Sequence, residues 1–408
     1  MFAAAGATGA GRLTLLMCAA EALGMTGFAA YPSFLPLLTD LWHLTGTEAG
    51  LIGGAFFFGY MLAVPFLSGA TDRIDARVVY IASCLLMAFG TLGFALAAHG
   101  VWSGALFQAL CGAGLAGCYM PGLRVLTDRV PPQAGTRHIA FYTSSFGIGT
   151  SLSLLLAGGL GRVSDWRVAI ALMSAGPLLA AGLVLTGVAR QSPPASAEAR
   201  WLPRFGPVLA HGRVRRLLAG YAVHCWELFG LRSWMVAFIA FAYGLTAAQA
   251  WLTPTEAAAL INLLGQPASI FGNEAASRFG RGRWIVAVML ASGLLCWLAG
   301  ASAAAPWWLM LCLLALYNCA VMADSAALTA GLVHAAPAAH RGAAMALYSL
   351  GGFGAGFVAP MVFGATLDAG GGDTNPVAWG FAFATLGAGC LLWGLSETSR
   401  REPAMPKS

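Results

Sequence analysis

Arg190-Gln-Ser-Pro-Pro-Ala-Ser-Ala-Glu-Ala-Arg-Trp-Leu-Pro-Arg-Phe-Gly-Pro-Val-Leu-Ala-His-Gly-Arg213 is a long polar stretch near the middle of a 408-residue chain. Pro193, Pro194, Pro203 and Pro207, with Arg190, Arg200, Arg204 and Arg213, make it a segment that neither continues a helix nor enters a lipid interior. On either side the composition reverses. Apolar runs fall at about 12–38, 47–69, 78–98, 101–124, 139–161 and 168–189, then at about 215–244, 254–273, 284–301, 306–334, 342–366 and 376–396. Each is close to the ~20 residues that a helix needs to cross a bilayer. We number them spans 1 to 12. The expected fold is an all-α membrane protein whose twelve transmembrane helices form two pseudo-symmetric six-helix bundles. The bundles occupy 1–189 and 215–396, with a cytoplasmic linker at 190–214 and a cytoplasmic tail at 397–408.

Composition agrees with that division. The apolar set makes up 59% of the chain and charged residues only 9%, with a mean hydropathy of +0.74. A soluble domain carries about 25% charged residues, so a water-soluble fold is excluded. The net charge of +6 invites a nucleic-acid reading, but the basic residues gather at the ends of the apolar runs, so no nucleic-acid partner is expected. With the N-terminus in the cytoplasm, 18 of the 22 basic residues fall on the inner side or its helix ends, all but Arg124, Arg162, Arg167 and Arg232. Basic loops stay inside, which places both termini in the cytoplasm. Short loops, Arg used over Lys and no glycosylation sequon point to a bacterial-type inner membrane. The first run carries Glu21, Pro32 and Pro36 and is read as a retained helix rather than a secretory signal. All nine cysteines lie inside apolar runs, so they are read as small packing residues and not as a disulfide framework.

The halves repeat with an offset near 205. Glu21-Ala-Leu-Gly24 is matched by Glu227-Leu-Phe-Gly230, and Thr45-Gly-Thr-Glu48 by Thr253-Pro-Thr-Glu256. The latter two have capping-box spacing, in which the Thr side chain and the Glu carboxylate satisfy amides at a helix start. Cys111 and Cys118 are echoed by Cys312 and Cys319, each pair being followed by a proline and then Arg137 or Arg341. Together these matches indicate duplicated six-helix bundles with a cavity between them.

The chain resembles the major facilitator superfamily over essentially its full length. Ser68-Gly-Ala-Thr-Asp72-Arg73-Ile-Asp75-Ala-Arg77 corresponds to the superfamily pattern G-x-x-x-D-R-x-G-R-R between spans 2 and 3, without its glycines at the second Gly position and at the start. The second copy, Asn273-Glu-Ala-Ala-Ser277-Arg278-Phe-Gly280-Arg281-Gly-Arg283, lacks the Asp. Pro131-Pro132 to Arg137 and Asp165-Trp166-Arg167 are further landmarks. The resemblance implies a secondary transporter working by alternating access, with spans 1, 4, 7 and 10 lining the cavity and spans 3, 6, 9 and 12 outside it. It also implies gating roles for Asp72, Arg73, Arg77, Arg124 and Arg278. Two departures qualify it. Gln108 stands four residues before Gly112, where many members carry an Arg, and Leu154-Leu155 precedes Gly158-Gly159 in place of the helix 5 pattern of drug antiporters.

A charge in mid-bilayer costs at least about 2.5 kcal/mol, so charges retained there are functional candidates. They are Glu21 on span 1, Arg124 on span 4, His224, Glu227 and Arg232 on span 7, and Asp324 on span 10. Glu227, His224, Glu21 and Asp324 are the candidates for proton coupling. His224 and Glu227 share a helix face three residues apart and are expected to exchange a hydrogen bond or proton, the alternative being a locking ion pair between Glu227 and Arg232. Arg232 suits a carboxylate held through two parallel hydrogen bonds. Gln108, Trp226, Asn262, Gln266, Tyr317 and Asn318 complete the candidate substrate site, interhelical glue being the alternative for the polar ones. Asp324 and Arg124 are expected to pair across the halves as a cytoplasmic-side latch, the alternative being that one of them contacts substrate. Trp102, Trp307 and Trp308 fit interfacial anchors.

Gly112-Ala-Gly114-Leu-Ala-Gly117 matches a dinucleotide fingerprint literally, but it lies inside an apolar run with no strand before it and is read as close helix packing. There is no Walker-type phosphate loop. The expectation is therefore a non-enzymatic, proton-coupled transporter of a small anionic or amphipathic metabolite. It is a monomer in the lipid bilayer, has no cofactor or resident metal, and favours import. Proton-antiport efflux of drugs or metabolites is the alternative; copper or other metal transport and a non-transporting membrane receptor are lesser ones.

Overall fold

The computed structural model describes residues 2–130, 132–191, 205–247, 249–337 and 340–399, with the side chains of 2–8, 132–137 and 140 left out. Pro131, most of the linker at 192–204, the side chain of Arg137 and the tail from 400 onward lie outside the described residues. Span 1 is Phe2–Gly24, carried through a 3-10 turn at Met25–Gly27 into Ala30–Trp42. Spans 2 to 5 are Gly46–Ala70, Ala76–Ala97, Val101–Arg129 and Pro132–Val163. Span 6 is Trp166–Met173 followed by Ala175–Gly187. Spans 7 to 12 are Gly212–Leu245, Pro254–Phe279, Arg281–Ala301, Trp307–Ala335, Arg341–Ala369 and Pro376–Thr398.

Among the described residues, eleven helices are long and apolar enough to cross a membrane, and span 8 is the one of the twelve that falls outside that set. Its length is ample at 26 residues, but it carries Asn262, Gln266, Asn273 and Glu274. Leu260, Leu263, Leu264, Ile270 and Phe271 are exposed while Asn262, Gly265 and Gly272 are buried. Span 8 thus turns its apolar face outward to lipid and its polar face inward, the reverse of a helix in a soluble core.

Both capping boxes form. Thr45 Oγ1 accepts from the Glu48 amide while Glu48 accepts from the Thr45 amide, and Thr253 and Glu256 do the same, with Pro254 at the first helical position. Within the first half, spans 2, 3 and 4 pack backbone to backbone. A Cβ on Gly112 would collide with the Phe56 carbonyl, one on Gly59 with the Ala109 carbonyl, and one on Gly114 with the Ser83 carbonyl and Met87. The literal dinucleotide pattern is therefore a packing surface. The polar linker has one structural surprise at its far end: the short turn Gly206–Leu209 docks Val208 fully buried against Val214, Leu332 and Tyr348. An apolar residue that follows Pro207 in a polar, proline-rich stretch reads as linker in sequence, yet it caps one end of the second bundle.

The two halves meet mainly through span 2 against span 11 and span 5 against span 8. Gly50 and Gly54 face the carbonyls of Pro360 and Phe357 so closely that a Cβ on either would strike backbone. Farther along, Tyr60 stacks on Phe353 with ring centroids 3.7 Å apart, and Phe57 lies 4.2 Å from Phe229. At the end of spans 2 and 11 that bears Gly46, Asp368 accepts from the Gly46 amide at 2.6 Å and from the Thr47 amide at 2.8 Å. At the same end Arg162 bridges to Glu256 at 2.8 Å. At the opposite end the ion pairs stay within one half: Arg124 with Asp72, Arg129 with Asp75 and Arg216 with Glu397. The molecule is shut at one end by contacts between its halves.

Candidate functional site

A narrow cavity lies between the halves. Phe28 and Tyr31 reach it from the broken part of span 1, Phe56 and Phe57 from span 2, Gln108 from span 4, Arg232 from span 7 and Asn262 from span 8. The break in span 1 is what turns Phe28 inward: the 3-10 turn gives Thr26 and Ala29 polar partners on other spans, since Thr26 Oγ1 donates to the Met173 carbonyl and the Ala29 amide donates to Ser153 Oγ. Phe28, Tyr31, Phe56 and Phe57 give the wall four aromatic rings, with Phe28 edge-on to Phe56 at 5.1 Å and, behind the wall, to Phe146 at 5.7 Å.

Arg232 is the charged residue in that wall. Its guanidinium lies 6.0 Å from the Phe146 ring centroid, and its buried Nε has no hydrogen-bond partner among the described residues. A guanidinium with an open donor in a low-dielectric space is arranged to receive an anion. The expected alternative, an ion pair between Arg232 and Glu227, is not formed among the described residues. Gln108 and Asn262 share the cavity with Arg232.

The other proposed substrate contacts are elsewhere. Trp226 Nε1 donates to the Thr385 carbonyl of span 12 at 3.0 Å. Tyr317 is fully buried against Phe383 inside the second half, and Asn318 donates to the Ile261 carbonyl at 2.8 Å, tying span 10 to span 8. Gln266 packs against Gly147 where spans 5 and 8 cross. For these residues the interhelical-glue reading describes the geometry. The expected set of lining spans also needs correction. Spans 1, 4 and 7 line the cavity, but so do spans 2, 5 and 8, and span 10 contributes none of its lining residues in this conformation.

The buried charges sort into separate environments. Glu21 is 1% exposed and accepts from the Tyr142 hydroxyl at 2.8 Å, its second oxygen left without a partner. Glu227, also 1% exposed, accepts from Ser292 Oγ of span 9 at 2.9 Å and from Cys390 Sγ of span 12 at 3.1 Å. Glu227 therefore faces the supporting spans, not the cavity, despite its repeat relation to Glu21. His224 does not pair with Glu227 as the three-residue spacing predicts: its Nδ1 lies 2.7 Å from Asp324 Oδ1, joining spans 7 and 10. Helical spacing brings two residues to one face, but a facing carboxylate on a neighbouring helix wins when it is closer. Tyr221 stacks beside His224, and Tyr348 on Tyr221.

The expected latch between Asp324 and Arg124 is absent, because each has a partner in its own half. Arg124 binds Asp72 at 3.0 Å and Asp128 at 3.2 Å. Arg77, 7% exposed, donates to the Val184 and Leu185 carbonyls, and Arg278 is exposed. Asp75 caps span 3 through the Arg77 amide and binds Arg129 and the Gln191 amide. Burial raises the carboxyl of Asp75, but these hydrogen bonds and the Arg129 charge outweigh it and hold Asp75 below the usual carboxylate range.

The sequence reading missed Asp368, Ser151 and the Arg162–Glu256 bridge. Asp368 sits in the last turn of a span and reads as an ordinary helix end; the signal was that Gly46-Thr47, its partner, opens the repeat-matched span. Ser151 belongs to a Thr150-Ser151-Leu-Ser153 run whose three hydroxyls are unusual inside an apolar segment. Among the described residues no cluster of His, Cys, Asp or Glu is arranged for a metal ion. Cys118 lies beside Cys84, whereas Cys312 is exposed.

Comparisons with known proteins complete the description. The family model described as the Major Facilitator Superfamily matches residues 17–272. A gentisate transporter of Corynebacterium glutamicum is 28% identical over 128 residues, covering 31% of this chain and 28% of that protein. The multidrug resistance protein MdtG of Citrobacter koseri is 30% identical over 138 residues, 33% of each. The aligned stretch thus spans about a third or less of the length of these curated relatives. Among solved structures, a bacterial homologue of the human lysosomal transporter Spinster, inward-facing and unoccupied, superposes with a TM-score of 0.75 at 16% identity, covering 97% of this chain and 99% of that one. The peptide-transporter-family protein PepTSo gives 0.74 at 15% identity, covering 95% and 97%.

Proposed function

The chain belongs to the Major Facilitator Superfamily, and from that premise we propose that it is a secondary active transporter of a small organic anion. The observation that carries this reading is the open guanidinium donor of Arg232 in an aromatic-walled cavity between the two halves. The relative named a gentisate transporter, gentisate being itself an organic anion, supports the same substrate class. With the termini in the cytoplasm of a bacterial-type inner membrane, the shut end that holds Asp368 and Glu256 is the outer one, and the conformation is inward-facing. Likeness in fold to an inward-facing Spinster homologue is in line with that assignment.

In this reading the anion enters an outward-open cavity, pairs with Arg232 and lets the halves rock around it. Binding neutralises a charge that otherwise sits uncompensated in the middle of the protein, so the loaded cavity closes more readily than the empty one. Coupling to protons is assigned to Glu21, Glu227, His224 and Asp324, carboxylates and an imidazole held away from water on spans that move with the halves. Import driven by proton symport follows, by a monomer.

A second reading, proton-antiport efflux of drugs or metabolites, draws on the likeness to multidrug resistance protein MdtG and on the aromatic share of the cavity wall. A thermal-stability screen of purified protein separates the two, because a ligand of the native state stabilises it in proportion to RT ln(1 + [L]/Kd). Stabilisation by carboxylates that is lost in Arg232→Gln supports anion transport. Stabilisation by hydrophobic cations alone overturns it in favour of efflux.

A further inference from the structure

Asn262 lines the cavity with 3% of its surface exposed, and its side-chain oxygen has no hydrogen-bond partner among the described residues. The orientation of that carboxamide follows from its neighbours. Ser151, on span 5 of the other half, spends its single hydroxyl proton on the Ala259 carbonyl at 3.1 Å, so toward Asn262 it can only accept. The group 3.4 Å from Ser151 Oγ is therefore the Asn262 amide nitrogen, and Oδ1 is the atom left open. The cavity consequently offers a cationic donor at Arg232 and, separately, a neutral acceptor at Asn262.

We propose that Asn262 Oδ1 selects an acid that carries a hydroxyl group, so that the preferred substrate is a hydroxylated organic carboxylate. This rests on the anion reading of Arg232. A buried acceptor with no partner is costly, and a ligand that supplies a donor relieves that cost whereas an analogue without one does not. The donor is a hydroxyl and not an ammonium, because no Asp or Glu lies among the residues lining the cavity and a second positive charge would face Arg232. Ser151 takes part as a positioning residue: it touches the carboxamide, not the ligand, and fixes which atom faces inward. Because Ser151 and Asn262 belong to opposite halves, the acceptor is set in place when the halves close at this level.

The test uses matched acids that differ by one group, benzoate, the three hydroxybenzoates and the three fluorobenzoates, with fluorine as a near-isosteric substituent that cannot donate. Affinity is measured on purified full-length protein by calorimetry or thermal shift. Wild type is expected to bind at least one hydroxybenzoate about tenfold or more tightly than its fluoro counterpart. Asn262→Leu is expected to remove that preference while still binding benzoate, which also shows that the variant is folded. Should Asn262→Leu fail to fold, Asn262→Ala takes its place and is read in the same way. Equal binding of hydroxy and fluoro acids by wild type, or a preference that survives in a folded Asn262→Leu, overturns the assignment and leaves the anion reading standing. Failure of every carboxylate to bind overturns both.

Discussion

The carboxylate of Asp368, at the end of span 11, caps the first turn of span 2 in the other half: its oxygens accept from the Gly46 amide at 2.6 Å, the Thr47 amide at 2.8 Å and the Thr47 hydroxyl at 2.6 Å. A carboxylate at a helix start is favoured both by the orphan amides and by the helix dipole. This cap exists only while the halves touch at that end. In the proposed alternating-access cycle it is a latch belonging to one of the two states.

Asp368→Asn keeps the shape but removes the charge. At an exposed site the loss is about 1 kcal/mol, or about fivefold in the balance between states. Spin labels at the exposed loop positions 99 and 374, one in each half, are expected to show a larger population at long distance in the variant. An unchanged distance distribution removes Asp368 from the gate.

Gly50→Leu tests closure sterically, because a side chain there meets the Pro360 carbonyl of span 11. The expected result is a folded protein that binds ligand but does not exchange it across a membrane. Gly112→Leu makes the same kind of collision inside one half, against the Phe56 carbonyl, and is expected to prevent folding. Comparable expression and exchange by both variants would contradict the division into two bodies.

Arg232→Gln is expected to weaken anion binding about 10- to 100-fold, the worth of a charge-assisted hydrogen bond, with little effect on thermal stability in the absence of ligand. Arg232→Lys keeps the charge and loses the fork, so partial recovery is expected. Calorimetric titration with the best carboxylate from the screen reads both.

His224 and Asp324 pair inside the second half with 1% and 2% exposure. Removing one partner of a buried pair costs about 3–5 kcal/mol, whereas replacing both by apolar residues is often neutral. Asp324→Leu alone is thus expected to lower the thermal midpoint more than the double variant His224→Leu with Asp324→Leu. Glu227→Gln, held apart between Ser292 and Cys390, is expected to leave substrate exchange intact and to abolish accumulation driven by a proton gradient.

Asp75 gives the pH test outside the membrane. Its folded carboxyl titrates below the unfolded value, so the stabilisation is present above a pH of about 4 and is lost as the pH falls through the folded value. Asn caps a helix start as well as Asp, so Asp75→Asn removes only the charged contact with Arg129; the variant is expected to be less stable than wild type at pH 7 by about 1 kcal/mol, and the gap is expected to close in acid.

The twelve spans and the duplication were legible because each rests on local chemistry: run length, the polar break at Arg190–Arg213, and two capping boxes that need only four consecutive residues. Span 8 shows the limit of composition, since its polar face is hidden by its neighbours. The site was half legible. Arg232, Gln108 and Asn262 stand out as polar groups in apolar runs and do share the cavity, but Trp226 and Asn318 carry the same signal and are spent on neighbouring helices, and Tyr317 is buried inside the second half. Helical spacing ties His224 to Glu227, yet each finds its partner on another span. Which face of a buried helix meets which neighbour is a property of the packed bundle, and no window of sequence contains it.

Uptake into proteoliposomes is the most direct measurement: a labelled carboxylate that stabilises the wild type, with the N-terminal side of the protein inside and the lumen alkaline. The expected result is accumulation above the external concentration, collapse of that accumulation by a protonophore, and none with Arg232→Gln. Equal, gradient-independent equilibration in wild type and variant, or accumulation of organic cations in vesicles of opposite pH gradient, would contradict a proton-driven anion importer built around Arg232.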